Sequence, residues 1–218
     1  MFEKITKCVT DYLEGTEPVD TSQFNDPVAE LAEWSSLHAG AKSFRTHELK
    51  QVGAERAEFC LSWGGWVYYG SALFFGLPLL VAGPLKAYAL YGFHPKVLIT
   101  VAAGLALSWF GVWLLRLGTT PIVFDRKRGR YWRGRIAPGT VAASEVLLAD
   151  VHALQLLREH VRGDRSAYFC YELNLVCHDG RRLAVIQHGG RDAIHADAVK
   201  LAAFLGVPLW APNSSVLP

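Results

Sequence analysis

Residues 59–85 read FCLSWGGWVYYGSALFFGLPLLVAGPL and residues 97–115 read VLITVAAGLALSWFGVWLL, and neither stretch contains Asp, Glu, Lys or Arg. At about 27 and about 19 residues they approach or exceed the roughly 20 apolar residues that an α-helix needs to cross a hydrocarbon core. Both are apolar around the whole helical circumference, whereas a helix on a soluble domain keeps a polar stripe. The pattern predicts two transmembrane helices, over about 62–85 and 97–116, joined as a hairpin within residues 58–117. Pro78 is a candidate kink in the first, and Gly104 with Ser108 makes a small-xxx-small step that allows close helix contact. The absence of acids, lysines and arginines from both spans disfavours an ion path or proton relay, which needs charge inside the membrane.

Aromatic and basic residues bracket the two runs. Trp63, Trp66, Tyr68 and Tyr69 open the first, Trp109 and Trp113 close the second, and Tyr88, Tyr91 and Phe93 lie between them. In an antiparallel hairpin the first two groups are expected at one membrane face and the third at the other, as paired aromatic belts. The N-terminal flank carries Lys42, Arg45, Lys50 and Arg56, and the C-terminal flank carries Arg116, Arg126, Lys127, Arg128, Arg130, Arg133 and Arg135. The connecting segment has only Lys86 and Lys96, so the positive-inside bias places both termini in the cytoplasm, with the turn around 88–96 outside.

The rest of the composition narrows the class. Hydrophobic residues make up 51% of the 218, but the excess sits between Phe59 and Leu115, as a membrane segment requires and a large soluble core does not. A net charge of +2 gives no global field for nucleic acid. Cys8, Cys60, Cys170 and Cys177 form neither a C-x-x-C pair nor a dense framework, which reads as free thiols in a reducing compartment. The opening MFEKITKCVTDYLEG has acids and no apolar core of the signal-peptide kind, so the first transmembrane helix would itself direct insertion.

Residues 1–57 read as a helical cytoplasmic N-terminal segment. Within it Asp26 is a helix N-cap and Pro27 a first helical residue, with the helix running to about Gly40. Val28, Leu31, Trp34 and Leu37 would then form an apolar stripe, buried on the C-terminal domain, on the membrane or on a partner. Residues 118–218 read as strands. Residues 121–126 and 130–133 form a hairpin with a Gly-containing turn, and 145–157 supply one or two strands. Tyr168 to Cys177 and Arg182 to Gln187 form a second hairpin around Asp179-Gly180. Arg191 to Leu205 is an amphipathic helix stopped by Gly206 and Pro208. The fold class expected is an α+β membrane protein: a two-helix transmembrane hairpin, a small antiparallel β domain closed by a C-terminal helix, and a helical N-terminal segment.

Hairpins ending in a single amphipathic helix resemble a pleckstrin-homology-like (PH-like) domain. The stretches PIVFDRKRGRYW, YELNLVCHDGRRLAVIQHGG and DAVKLAAFLGVPLW resemble an uncharacterised group of two-helix proteobacterial inner-membrane proteins with a P-I-x-F-[DN]-R motif after the second helix. The resemblance covers residues 60 to 210. It implies a bacterial inner-membrane location and, because such proteins occur beside secretion-system (type VI) or polymorphic-toxin genes, an immunity or accessory role with a toxin or secretion component as partner.

Chemistry is sparse in the motifs. His152, His160, His178, His188 and His195 with Cys170 and Cys177 show no ligand spacing of a known metal unit, His188-Gly189-Gly190 lacks a phosphate-loop frame, and no nucleophile motif occurs. Neither a cofactor nor an enzymatic activity is expected, and nothing in the sequence sets the oligomeric state. Arg126, Lys127, Arg128, Arg130 and Arg133 form a basic hairpin with two readings: topology-setting cations, or a surface that binds anionic lipid headgroups. With Trp63, Trp66, Trp109 and Trp113 they are the candidate membrane-interface residues. A membrane-anchored protein-binding module is the first functional reading, and a lipid-headgroup-sensing envelope protein the second.

Overall fold

A computed structural model of the chain describes residues 19–38, 44–135, 145–162 and 167–211. The protein divides into two compact units. One comprises the described residues up to Cys60 together with those from Pro121 onward, and the other is Leu61–Thr120.

The first unit is built from two sheets. Strands β1 (His47–Gln51), β2 (Arg56–Leu61), β3 (Ile122–Asp125), β4 (Arg130–Arg133) and β5 (Val146–Leu147) are neighbours in that order. Strands β6 (Val151–Arg162), β7 (Ala167–Cys177) and β8 (Arg182–His188) form an antiparallel meander, and β9 (Leu209–Trp210) joins β6 in parallel. Along β2, Ala57, Phe59 and Leu61 are buried while their neighbours are half-buried, the period-2 signature of a strand with one face inward. Ala57, Phe59, Ile122, Phe124 and Tyr131 of the first sheet share one core with Leu154, Leu156, Leu173, Leu175 and Val185 of the second. Helix α4 (Arg191–Leu205) closes that core with Ile194, Ala198 and Leu201, and Gly206 ends it in the left-handed region at φ 73°.

The predicted hairpins are present in register. Ile122 to Asp125 pair with Arg133 to Arg130, and Asp179-Gly180 turns β7 into β8 with Gly180 at φ 81°. The N-terminal flank departs from the expectation. Over its described residues, 1–57 is helical only in a single-turn 3-10 helix at Thr21–Phe24 and in α1 (Pro27–Leu31); residues 47–51 and 56–61 are strands. Asp26 does cap α1, accepting from the Val28 N–H at 3.0 Å, but Ala32 is already extended. The reason is Trp34, which turns back instead of extending the stripe. Its Nε1 donates to the Ala29 carbonyl at 2.9 Å and its ring stacks on Phe24 at 5.0 Å, against Trp210. Of the expected stripe, Val28 and Trp34 are packed, while Leu31 and Leu37 are exposed.

The second unit is a helical hairpin, α2 (Trp63–Tyr91) and α3 (Pro95–Gly118). Ser62 caps α2, and the helix runs unbroken through Pro78 and Pro84 to Gly92, past Lys86, so it is longer than the charge-free run implied. Both helices are long and apolar enough to cross a membrane. They meet through glycine. A Cβ on Gly104 would lie 2.5 Å from the Leu80 Cα, one on Gly76 2.8 Å from the Ser108 N, and one on Gly111 2.7 Å from the Leu73 N, so only hydrogen fits at these crossings. The unit Leu61–Thr120 is an insertion between paired strands, because β2 and β3 are antiparallel neighbours, with Phe59 opposite Ile122. Residues 118–218 therefore do not contain the whole β unit.

Candidate functional site

Of the predicted interface residues, the four tryptophans belong to the helical hairpin and the basic residues to the β unit. The facing pairs Leu73/Gly111, Gly76/Ser108 and Leu80/Gly104 set the register of α2 against α3. Carried along, that register puts Arg116 level with Tyr68, Trp113 with Ser71, Trp109 with Phe75 and Lys96 with Tyr88. At about 1.5 Å per residue, the slab between Arg116 at one end and Lys86 and Lys96 at the other is about 27–30 Å thick, the thickness of a hydrocarbon core. Tyr88 and Tyr91 sit at the two-lysine end, with Lys96 Nζ 3.9 Å over the Tyr91 ring. At the other end only Trp66 and Trp113 flank the Arg116 level; Trp63 lies about 7 Å outside it and Trp109 about 10 Å inside the slab. Along the helices Trp63 and Trp66 differ by about 4.5 Å in height and Trp109 and Trp113 by about 6 Å.

The basic hairpin is divided as well. Arg126, Lys127 and Arg128 are exposed at the β3–β4 turn, where the Asp125 carboxylate accepts from the Arg128 N–H at 2.8 Å and the Arg126 guanidinium lies 5.1 Å from the Phe204 ring centroid. Arg130 is half-buried in β4 opposite Asp125. Arg133 is at the other end of β4, opposite Ile122, about 10 Å away along the strand. It donates to the Val185 carbonyl at 2.9 Å and so belongs to the seam between the two sheets.

Between residues 33–38 and the second sheet lies a buried polar network that motif reading missed. Glu172 on β7 is 1% exposed and accepts from the backbone N–H groups of Leu37 at 2.9 Å and His38 at 3.1 Å, from Ser36 Oγ at 2.9 Å and from Asn174 Nδ2 at 2.8 Å. Gln155 donates to the Glu33 carbonyl at 3.0 Å, Arg182 to the Ser35 carbonyl at 2.7 Å and Gln187 to the His38 carbonyl at 2.9 Å. Residues 33–38 are thus held as a strap across β6, β7 and β8, mostly through main-chain groups. Burial raises the Glu159 carboxyl above its ordinary range, with nearby Glu172 adding to the rise and Ser36 opposing it. A faint signal was present in the sequence: Glu172, Asn174 and Gln155 interrupt apolar strands at alternating positions, which marks a polar face where bare alternation predicts solvent.

An open cavity of about 350 Å³ lies beside the strap, lined by Leu37, His38, Tyr131, Arg133, Arg182, Leu183 and Ala184. Burial pushes the Tyr131 phenol above its usual range, against the lowering effect of Arg133, to which it is hydrogen-bonded. The Arg182 side chain is 4% exposed and reaches Glu33 at 3.2 Å.

Two other groups use titratable side chains structurally. His152 spends one ring nitrogen on Asp26 Oδ2 at 2.7 Å and the other on His178 Nδ1 at 3.0 Å, which ties α1 to the second sheet. His188, fully buried, accepts the Gly190 N–H on Nδ1 at 3.1 Å at the N-terminus of α4. Burial, reinforced by Arg45 and His47, lowers its pKa to about 4, so it is neutral and free to accept from Gly190, the N-cap residue, which has no capping side chain of its own. Among the described residues no three His, Cys, Asp or Glu side chains converge as a metal site. Compared with known proteins, the chain matches no family model, no curated protein and no solved structure.

Proposed function

We propose that this protein is a membrane-anchored binding module, with a PH-like β unit on the cytoplasmic side of a bacterial inner membrane and a transmembrane hairpin as its anchor. The observation that carries the reading is the inverted surface of the hairpin. Only 6% and 11% of its most apolar stretches are buried, against the near-complete burial that core helices of a soluble protein have. A charge-free slab of about 30 Å bounded by cations at both ends matches the dimensions of a bilayer. Because an antiparallel hairpin returns to its starting side, and its two ends lead into the neighbouring strands β2 and β3, the flanks on either side can fold as one unit on one membrane face. The cations before and after the hairpin favour the cytoplasmic face. Two sheets around one core, closed by α4, support the PH-like assignment of the β unit.

The partner that the sequence resemblance implies is a toxin or secretion component, and the immunity or accessory role is part of this proposal. The headgroup-sensing alternative draws less support, since Arg126, Lys127 and Arg128 are at the opposite end of the β3–β4 hairpin from Arg133. Alkaline extraction of membranes, with reporter fusions at both termini, tests the anchor: release into the supernatant, or a periplasmic terminus, contradicts it. Deleting the gene in a strain that carries a neighbouring toxin tests the role, with reduced survival expected and unchanged fitness removing the immunity version.

A further inference from the structure

We propose that the cavity at the seam between β4 and β8 is a binding site for a small monocarboxylate with a short apolar body. The site lies wholly within the β unit and does not depend on the identity of any protein partner. Its volume of about 350 Å³ is at the lower end for small-molecule sites, which restricts the ligand to a compact molecule. The walls divide by chemistry. Leu37, Leu183, Ala184 and Tyr131 supply a largely apolar side, and Arg133, Arg182 and the solvent-facing His38 supply the polar one.

The two cations are not equivalent. Arg182 is committed: it donates to the Ser35 carbonyl at 2.7 Å and to Gln155 Oε1 at 3.3 Å, and its charge is paired with Glu33 at 3.2 Å. It acts as a fixed, nearly buried wall. Arg133 is exposed and makes no ion pair with a carboxylate among the described residues. One of its terminal nitrogens holds the Val185 carbonyl at 2.9 Å, and Tyr131 takes a further bond. A guanidinium has five N–H donors, so donors remain for a planar oxyanion, and among the described residues no acid lines the cavity to compete for them. One unneutralised cation beside apolar walls matches one negative charge on an apolar body. A carboxylate carries that charge at neutral pH, whereas a phosphate monoester carries nearly two. The site forms only in the folded chain, because its walls come from the strap, the first sheet and the second sheet.

The test uses full-length protein in phospholipid nanodiscs and isothermal titration with hexanoate, hexanol and inorganic phosphate. Saturable hexanoate binding is expected in the millimolar range or tighter. Arg133→Gln should weaken it by about tenfold or more, and Arg133→Lys, which keeps the charge and loses the fork, by less. Arg126→Gln, outside the cavity, should leave it unchanged. Circular dichroism melts of each variant separate lost binding from lost folding, and the exposed Arg133 should tolerate replacement. Hexanol binding as tightly as hexanoate, phosphate binding in place of hexanoate, or undiminished hexanoate binding by a folded Arg133→Gln protein would each overturn the assignment.

Discussion

Within the two helices the buried positions are Gly65, Gly76, Ala87, Gly104, Gly111 and Gly118, while Phe74, Leu98 and Trp109 are 74%, 72% and 73% exposed. In the β unit the order is reversed: Phe59, Phe124, Leu154 and Leu173 are fully buried, and the exposed positions include Arg126, Lys127 and Arg128. The two surfaces are opposite in kind, as the proposed membrane anchor requires. In water the large apolar groups go inside because hydration penalises their exposure. In a hydrocarbon phase that penalty vanishes, and helices associate by close backbone packing through small residues.

Removing one region gives the largest effect. Deleting residues 63–118 and joining the flanks with a short Gly/Ser linker should yield a water-soluble β unit that unfolds cooperatively, since β2 and β3 are already neighbours. Residues 118–218 alone lack β1, β2 and the core side chains Ala57 and Phe59, and should not fold. A folded 118–218 fragment, or an insoluble linker variant, would break the division into two units.

A charge placed on each exposed surface separates the two solvents. Leu77→Arg, near the middle of the slab, should disfavour membrane insertion by about 3 kcal/mol and shift the protein out of the membrane fraction. Val199→Arg on the exposed side of α4 should change stability by less than about 0.5 kcal/mol in chemical denaturation. Equal tolerance at both positions would mean that water surrounds the hairpin.

Acid should act on the β unit through His188. Folded, it stays neutral down to about 4, whereas its ordinary value is 6.5. As pH falls the unfolded chain binds the proton first, so stability is lost between about 6.5 and about 4 and the loss levels off below both values. The loss is on the order of 3 kcal/mol. Denaturation of the wild type and of His188→Gln across that range checks the sign, and an unchanged slope in the variant would exclude His188 as the source. In the hairpin the smallest change tests the closest contact. Gly104→Ala should cost about 1–3 kcal/mol by forcing backbones apart, read as a lower yield of disulfide between cysteines introduced at Gly83 and Thr100. In the native protein a Cβ at position 83 would lie 3.4 Å from the Thr100 Cβ.

Much of this was legible along the chain. Two charge-free runs, the Asp179-Gly180 turn and the Gly206 stop report local physics: length, φ preference and periodicity. The misreadings share a cause. Phe59, Cys60 and Leu61 fell within the expected hairpin region 58–117 because they continue the charge-free run, yet they end β2, whose partner β3 begins some sixty residues later. Leu37 fitted a helical stripe, but its N–H is taken by Glu172, more than a hundred residues away in sequence. The cavity was invisible for the same reason, since Leu37, Tyr131, Arg133 and Arg182 come from segments with no shared motif.

The sequence by itself determined the two apolar helices, the hairpins of the β unit and the final amphipathic helix, because each is written in contiguous residues whose spacing repeats. Only the tertiary structure decided that the hairpin interrupts a sheet, that the strap replaces a helix and that Arg133 faces a cavity. Strand pairing and buried polar contacts are made between residues distant in the chain, and a one-dimensional pattern carries no record of which distant residue is the partner.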